Sequence, residues 1–179
     1  MFSKHGAAVA LSSRPLVGSS MVWAPAGQAH GPEHRESVLC TGSSAGMYDP
    51  PLTLLPRKTR VRTHAGYDCT VAPGRTMPAT GYLEGESPSA SCVQLDGPHL
   101  KEVVKYADGK RSLIAYSSGT SVRVADLLIA RLSGRVVEGR GEGRSAQRTV
   151  SALSRQLPTE CLSSGLTGST GKAQLEIGS

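Results

Sequence analysis

Apolar and polar positions between residues 93 and 137 follow two rhythms. Residues 101–106 and 110–116 carry apolar groups at strand spacing and meet around Asp108-Gly109, a dipeptide that readily takes the positive backbone angles of a type I′ turn. The pattern predicts a β-hairpin with a two-residue loop, in which Tyr106 faces Arg111, Val104 faces Leu113 and Val103 pairs with Ile114 on the other side. The rhythm then turns helical. Thr120 and Ser121 suit an N-cap, Val122, Ala125, Leu128, Ile129 and Leu132 make one helical stripe, and Gly134 stands where a helix would end. Asp126 early and Arg131 late suit the helix dipole, although Val122 and Val124 on either side of Arg123 would also tolerate a strand.

Elsewhere no periodic pattern is sustained. Up to Pro98, proline and glycine break the chain so often that only short extended pieces are expected, over residues 36–41 and 52–63, the second interrupted by Pro56. Residues 138–144 read as a Gly/Arg linker. A short helix is predicted over 145–157, with Val150, Leu153 and Leu157 on one side and Pro158 as its stop, before a Ser/Gly/Thr tail. Composition reinforces this picture. Val, Leu, Ile and Phe make up about a fifth of the chain, close to the level at which charged chains stay disordered, and aromatics are 4% beside 21 Gly and 11 Pro. The expected fold class is therefore mostly irregular or disordered with one small α+β segment, a β-hairpin plus a helix. Three regions follow: a low-order Pro/Gly/Ser-rich region over 1–92, the α+β segment over 93–137, and a basic Gly/Arg/Ser-rich tail over 138–179. A segment this short sits near the lower limit of independent stability, so a protein partner or larger assembly is expected for it.

The chain has no Asn, a single Phe and three Ile, Ile114, Ile129 and Ile177. The bias toward residues with GC-rich codons admits a rival reading, an orphan or spurious reading frame with no selected function. It also excludes N-linked glycosylation and any active site that needs an Asn side chain.

Charge is concentrated in two basic islands on a chain of net charge +6. Arg57, Lys58, Arg60 and Arg62 form one, and the Arg-rich stretch that includes Arg140, Arg144 and Arg148 forms the other. If residues 57–64 are extended, Lys58, Arg60, Arg62 and His64 share one face at about 6.6 Å intervals, while Thr59, Val61 and Thr63 share the other. Such a stripe suits the phosphates of RNA or another polyanion in a non-specific, electrostatic contact. With only Tyr67 nearby, base stacking has little to work with.

Catalytic motifs fit poorly. Gly42-Ser43-Ser44-Ala45-Gly46 matches G-x-S-x-G, but the Pro50-Pro51 pair soon after opposes the helix a nucleophile elbow requires. The P-loop and S-x-x-K lookalikes near Lys172 lack their partner residues. His64, Cys69, Cys92 and His99 have no recognised zinc spacing, and no metal or other cofactor is expected. Cys40, Cys69, Cys92 and Cys161 are widely spaced and allow three disulfide connectivities. Leu16 and Val17 run into Gly and Ser, not a sustained apolar stretch, so a reducing intracellular compartment with free thiols is expected, organelle import being the minority alternative. No stretch has the length and apolarity of a membrane span.

The resulting expectation is a small basic accessory protein, non-catalytic, contacting RNA or another polyanion within a larger complex through Arg57, Lys58, Arg60, Arg62, Arg140, Arg144 and Arg148. A serine hydrolase built on Ser44 is the distant enzymatic alternative.

Overall fold

The computed structural model describes residues 37–124, 127–153 and 161–178. They form β1 (Val38–Leu52), β2 (Arg57–Ala72), β3 (Arg75–Ala90), the two-residue β4 (Leu95–Asp96), β5 (His99–Tyr106), β6 (Arg111–Val124), β7 (Leu127–Gly139), β8 (Ser145–Leu153) and β9 (Leu166–Ile177). Apart from β4, which hangs on β3, each strand pairs antiparallel with its chain neighbours, and β9 pairs back onto β1. Eight strands thus close into an up-and-down barrel, a form that leaves no sheet edge unpaired.

Alternation explains the strands. In β2, Val61, Ala65, Tyr67, Cys69 and Val71 are buried, whereas Lys58, Arg60, Arg62, His64, Asp68 and Thr70 are exposed. The faces expected for residues 57–64 are the faces observed. The lower end of the barrel carries the β2–β3, β5–β6 and β7–β8 turns; the upper end carries residues 53–56 and 91–98.

The expectation of a mostly irregular chain with one hairpin and one helix is overturned, and so is the disorder inferred from composition. Pro73-Gly74 is the two-residue turn between β2 and β3, where Pro and Gly suit the central turn positions. The supposed linker is an ordered β7–β8 turn: Gly139, Gly141 and Gly143 all have positive φ, and Gly143 N–H donates to the Val136 carbonyl at 2.9 Å. Other glycines sit within strands. At Gly134, expected to end a helix, a Cβ would lie 2.0 Å from the Ala115 carbonyl oxygen, so the β6–β7 approach requires glycine.

Residues 120–134 contain no helix among those described. They belong to the β6–β7 pair, in which Thr120 faces Arg131 and Val122 faces Ile129; Ala125 and Asp126 lie outside the described residues. Leu128 and Leu132, four apart, satisfy a period of two as well as 3.6, so helical spacing and inward strand positions coincide there. The helix expected over 145–157 is also corrected, because Ser145–Leu153 is β8; residues 154–157 and Pro158 lie outside the described residues.

A hairpin does form around Asp108-Gly109, with a register one residue away from that expected. Tyr106 N–H donates to the Lys110 carbonyl and Gly109 N–H to the Tyr106 carbonyl, both at 3.0 Å, giving a three-residue loop with Gly109 at φ 80°. Val104 therefore faces Ser112 and Glu102 faces Ile114. That shift turns Glu102 and Tyr116 into the barrel together.

The four cysteines are paired, not free. Cys40–Cys69 joins β1 to β2, and Cys92–Cys161 ties the segment after β3 to the one before β9. The pairing points to an oxidising environment instead of the reducing one expected.

Candidate functional site

Five inward side chains from five strands meet across the middle of the barrel: Ser44 (β1), Tyr67 (β2), Glu102 (β5), Tyr116 (β6) and Arg148 (β8). Glu102 is 0% exposed and Arg148 1%, so this is an ion pair taken fully out of water. The carboxylate accepts three hydrogen bonds, from Arg148 Nη1 at 3.0 Å and Tyr67 Oη at 3.1 Å on Oε1, and from Tyr116 Oη at 2.6 Å on Oε2. Arg148 Nη2 donates to Ser44 Oγ at 2.8 Å. Gly81 makes the room, since a Cβ there would come within 2.6 Å of Glu102 Oε1 and 2.7 Å of the Tyr67 ring.

Burial sets the protonation of this layer. It pushes the Tyr67 and Tyr116 hydroxyls well above the ordinary tyrosine range, and the adjacent Glu102 charge pushes them further, so both remain donors. For Arg148 burial works against the charged form, but the Glu102 carboxylate beside it outweighs burial and holds the guanidinium protonated.

Below this layer the barrel is packed; above it lies a cavity of about 110 Å³. Its wall is largely aliphatic, with Leu52, Val61, Leu83, Leu100, Leu132 and Val150 among the lining residues. Cys92 and Leu95 contribute from the upper-end segment. Tyr48 Oη and Ser169 Oγ, also on the wall, hydrogen-bond each other at 2.7 Å. Three side-chain atoms are buried with no hydrogen-bond partner in the protein: Thr63 Oγ1, Ser121 Oγ and Arg148 Nε. All three residues line this one cavity. An unpaired buried polar group costs about 1–3 kcal/mol, so three on one cavity call for a partner from outside the chain, a water or a ligand.

The basic residues expected to contact a polyanion do not share a surface. Arg57 opens β2 at the upper end and donates to the Pro51 carbonyl. On the outer face of β2, Lys58 and Arg60 pair with Glu86 at 2.8 and 3.7 Å, and Arg62 is exposed beside them. Arg140 and Arg144 lie in the β7–β8 turn at the opposite end, where Arg140 pairs with Asp108 at 2.5 Å and lies 4.4 Å above the Tyr106 ring. Arg148 is inside the barrel. Ser44 is not on an elbow either: Gly42, Ser44 and Gly46 are successive inward positions in mid-strand, so G-x-S-x-G here is strand alternation. Cys69 and Cys92 belong to separate disulfides, and His64 and His99 face outward.

The sequence reading assigns no site role to Glu102 or Tyr116, and it names Ser121 only as an N-cap, Thr63 only by its strand face and Tyr67 only as an aromatic near the basic stripe. A usable signal existed: Glu102 shares the parity of Leu100, Val104 and Tyr106, and Arg148 that of Ala146, Val150 and Ala152, leaving one acid and one base alone in apolar registers. Comparison with protein-family models, characterised proteins and solved structures finds no match to this chain.

Proposed function

We propose that this protein is a non-catalytic binder of a compact, mainly apolar small molecule held in the upper half of the barrel. The observation that carries the reading is the convergence of Thr63 Oγ1, Ser121 Oγ and Arg148 Nε, each without a protein partner, on one aliphatic cavity. A mostly apolar enclosure with a few placed polar groups is the general form of a ligand site, and an eight-stranded barrel is wide enough for one small ligand. The interior offers little for catalysis: three donors occupy Glu102, and Ser44 Oγ accepts from Arg148, while His64 on the neighbouring strand faces outward. The disulfides suit an oxidising compartment or the outside of the cell.

The test is a methyl-resolved NMR titration with toluene, paired with thermal unfolding. At ten times its Kd the ligand should add about 1.4 kcal/mol of stability and raise Tm by a few degrees. Methyl signals of Leu83, Leu100, Leu132 and Val150 should shift. Ala152→Leu, which fills the cavity, should remove both effects. Toluene that moves none of these methyls would overturn the reading.

A further inference from the structure

Building on the cavity reading, we infer that the ligand is an uncharged molecule of about six or seven non-hydrogen atoms whose polar group is an oxygen acceptor, a ketone or amide carbonyl, seated on the Nε–H of Arg148. Three observations lead there. The first is chemical direction: a guanidinium Nε–H only donates, so whatever it meets must accept. Of the three Arg148 nitrogens, Nη1 donates to Glu102 and Nη2 to Ser44, whereas Nε has no partner in the protein, and Arg148 lines the cavity.

The second is charge. Glu102 stands 3.0 Å from Arg148 and already neutralises it. A carboxylate or phosphate would bring a second negative charge into an interior where no further cation is buried among the described residues. A neutral carbonyl takes the same hydrogen bond with no such burden. The third is size and lining. The volume, about 110 Å³, falls well below the roughly 300 Å³ at which sites for drug-sized ligands begin. The aliphatic wall fits a hydrocarbon ring or short chain better than a polyol, while the Thr63 and Ser121 hydroxyls can each donate or accept and so tolerate one further polar atom.

Three ligands of similar bulk separate the alternatives: cyclohexanone, methylcyclohexane and cyclopentanecarboxylate, titrated into the full chain with disulfides intact. The readouts are affinity and the ¹H–¹⁵N signal of Arg148 Nε. Cyclohexanone should bind at least about tenfold tighter than methylcyclohexane, as a hydrogen bond from a charged donor implies. It alone should move the Nε signal, and the carboxylate should bind at least tenfold more weakly than the ketone. Arg148→Lys, which keeps a cation beside Glu102 but removes Nε–H, should lose the preference for the ketone while still binding methylcyclohexane. Equal affinities for ketone and hydrocarbon, or an unmoved Nε signal, would overturn the inference and leave the apolar site standing. A carboxylate that binds tightest would overturn it in favour of an anion site. Failure of all three to bind would overturn the cavity reading itself.

Discussion

The two halves of this barrel share the same eight strands and the same alternation, yet the lower half is solid and the upper half hollow. The lower inward positions hold Val104, Tyr106, Ile114, Val136, Leu175 and Ile177, with the Cys40–Cys69 bridge beside them. The corresponding upper positions include Gly46, Thr63, Ser121, Ala130, Ala152 and Ser169. Large residues such as Leu83 and Leu132 line the upper half too, and Ala79, Ala146 and Ala173 lie in the lower core, so the run of small side chains around Gly46, Thr63, Ser121 and Ala130 is what leaves room above. A barrel of this size is just filled by large inward residues and left open by small ones. The Glu102–Arg148 layer divides the two, with its carboxylate and tyrosines hydrogen-bonded to one another and Arg148, whose Nε has no partner in the protein, lining the cavity.

Cutting that divide should have the largest effect. Glu102→Ala would leave a guanidinium buried with Ser44 as its remaining partner, and breaking such a pair costs about 3–5 kcal/mol. Urea unfolding should show this loss as one cooperative transition. A loss below about 1 kcal/mol would mean that water reaches Arg148 through the cavity, in which case the two halves are not separated by a dry layer.

Much of the local structure was legible in the sequence, but closure was not. The alternation of residues 57–64 correctly forecast which side chains of β2 face outward, and Asp108-Gly109 correctly marked a hairpin. The register slipped because Gly109 takes the positive-φ position of a three-residue loop, and a one-residue shift changes which side chains share a face. Glycine is misleading when read only as breaking the chain. Here Gly81 makes room for a buried carboxylate and Gly134 for a close strand approach, roles visible only once neighbouring strands are in register, and the closed interior further needs β9 to pair with β1. The cavity was illegible for the same reason, since Thr63, Ser121 and Arg148 are far apart in the chain and meet only through that long-range pairing. Arg148 was grouped with the surface arginines by proximity in sequence, although its parity already set it among Ala146, Val150 and Ala152.

A sharper comparison uses one strand and one substitution. Ala146 and Ala152 both face inward from β8 and are almost fully buried, the first in the packed half and the second on the cavity wall. Ala146→Leu should overpack the lower core and destabilise by about 1–3 kcal/mol. Ala152→Leu should fill empty volume and be neutral or stabilising by up to about 2 kcal/mol. Denaturant midpoints of the two variants measure the contrast. Equal destabilisation would mean that the upper half is as tightly packed as the lower.

The smallest effect is expected at the lower rim, where the ion pair between Asp108 and Arg140 bridges the β5–β6 and β7–β8 turns. The Arg140 hydrogen bond holds the Asp108 carboxyl below its ordinary value of 3.8. A carboxyl depressed in the folded state contributes stability above its unfolded pKa and loses it as pH falls through the lower folded value. Wild type should therefore lose slightly more stability than Asp108→Asn when acidified from neutral pH to below 3.8, and the difference should shrink at high salt. Tm against pH for the two proteins reads this out. The substitution should leave toluene binding unchanged, because the rim and the cavity lie on opposite sides of the Glu102–Arg148 layer; a change in affinity would show that the solid half transmits strain to the hollow one.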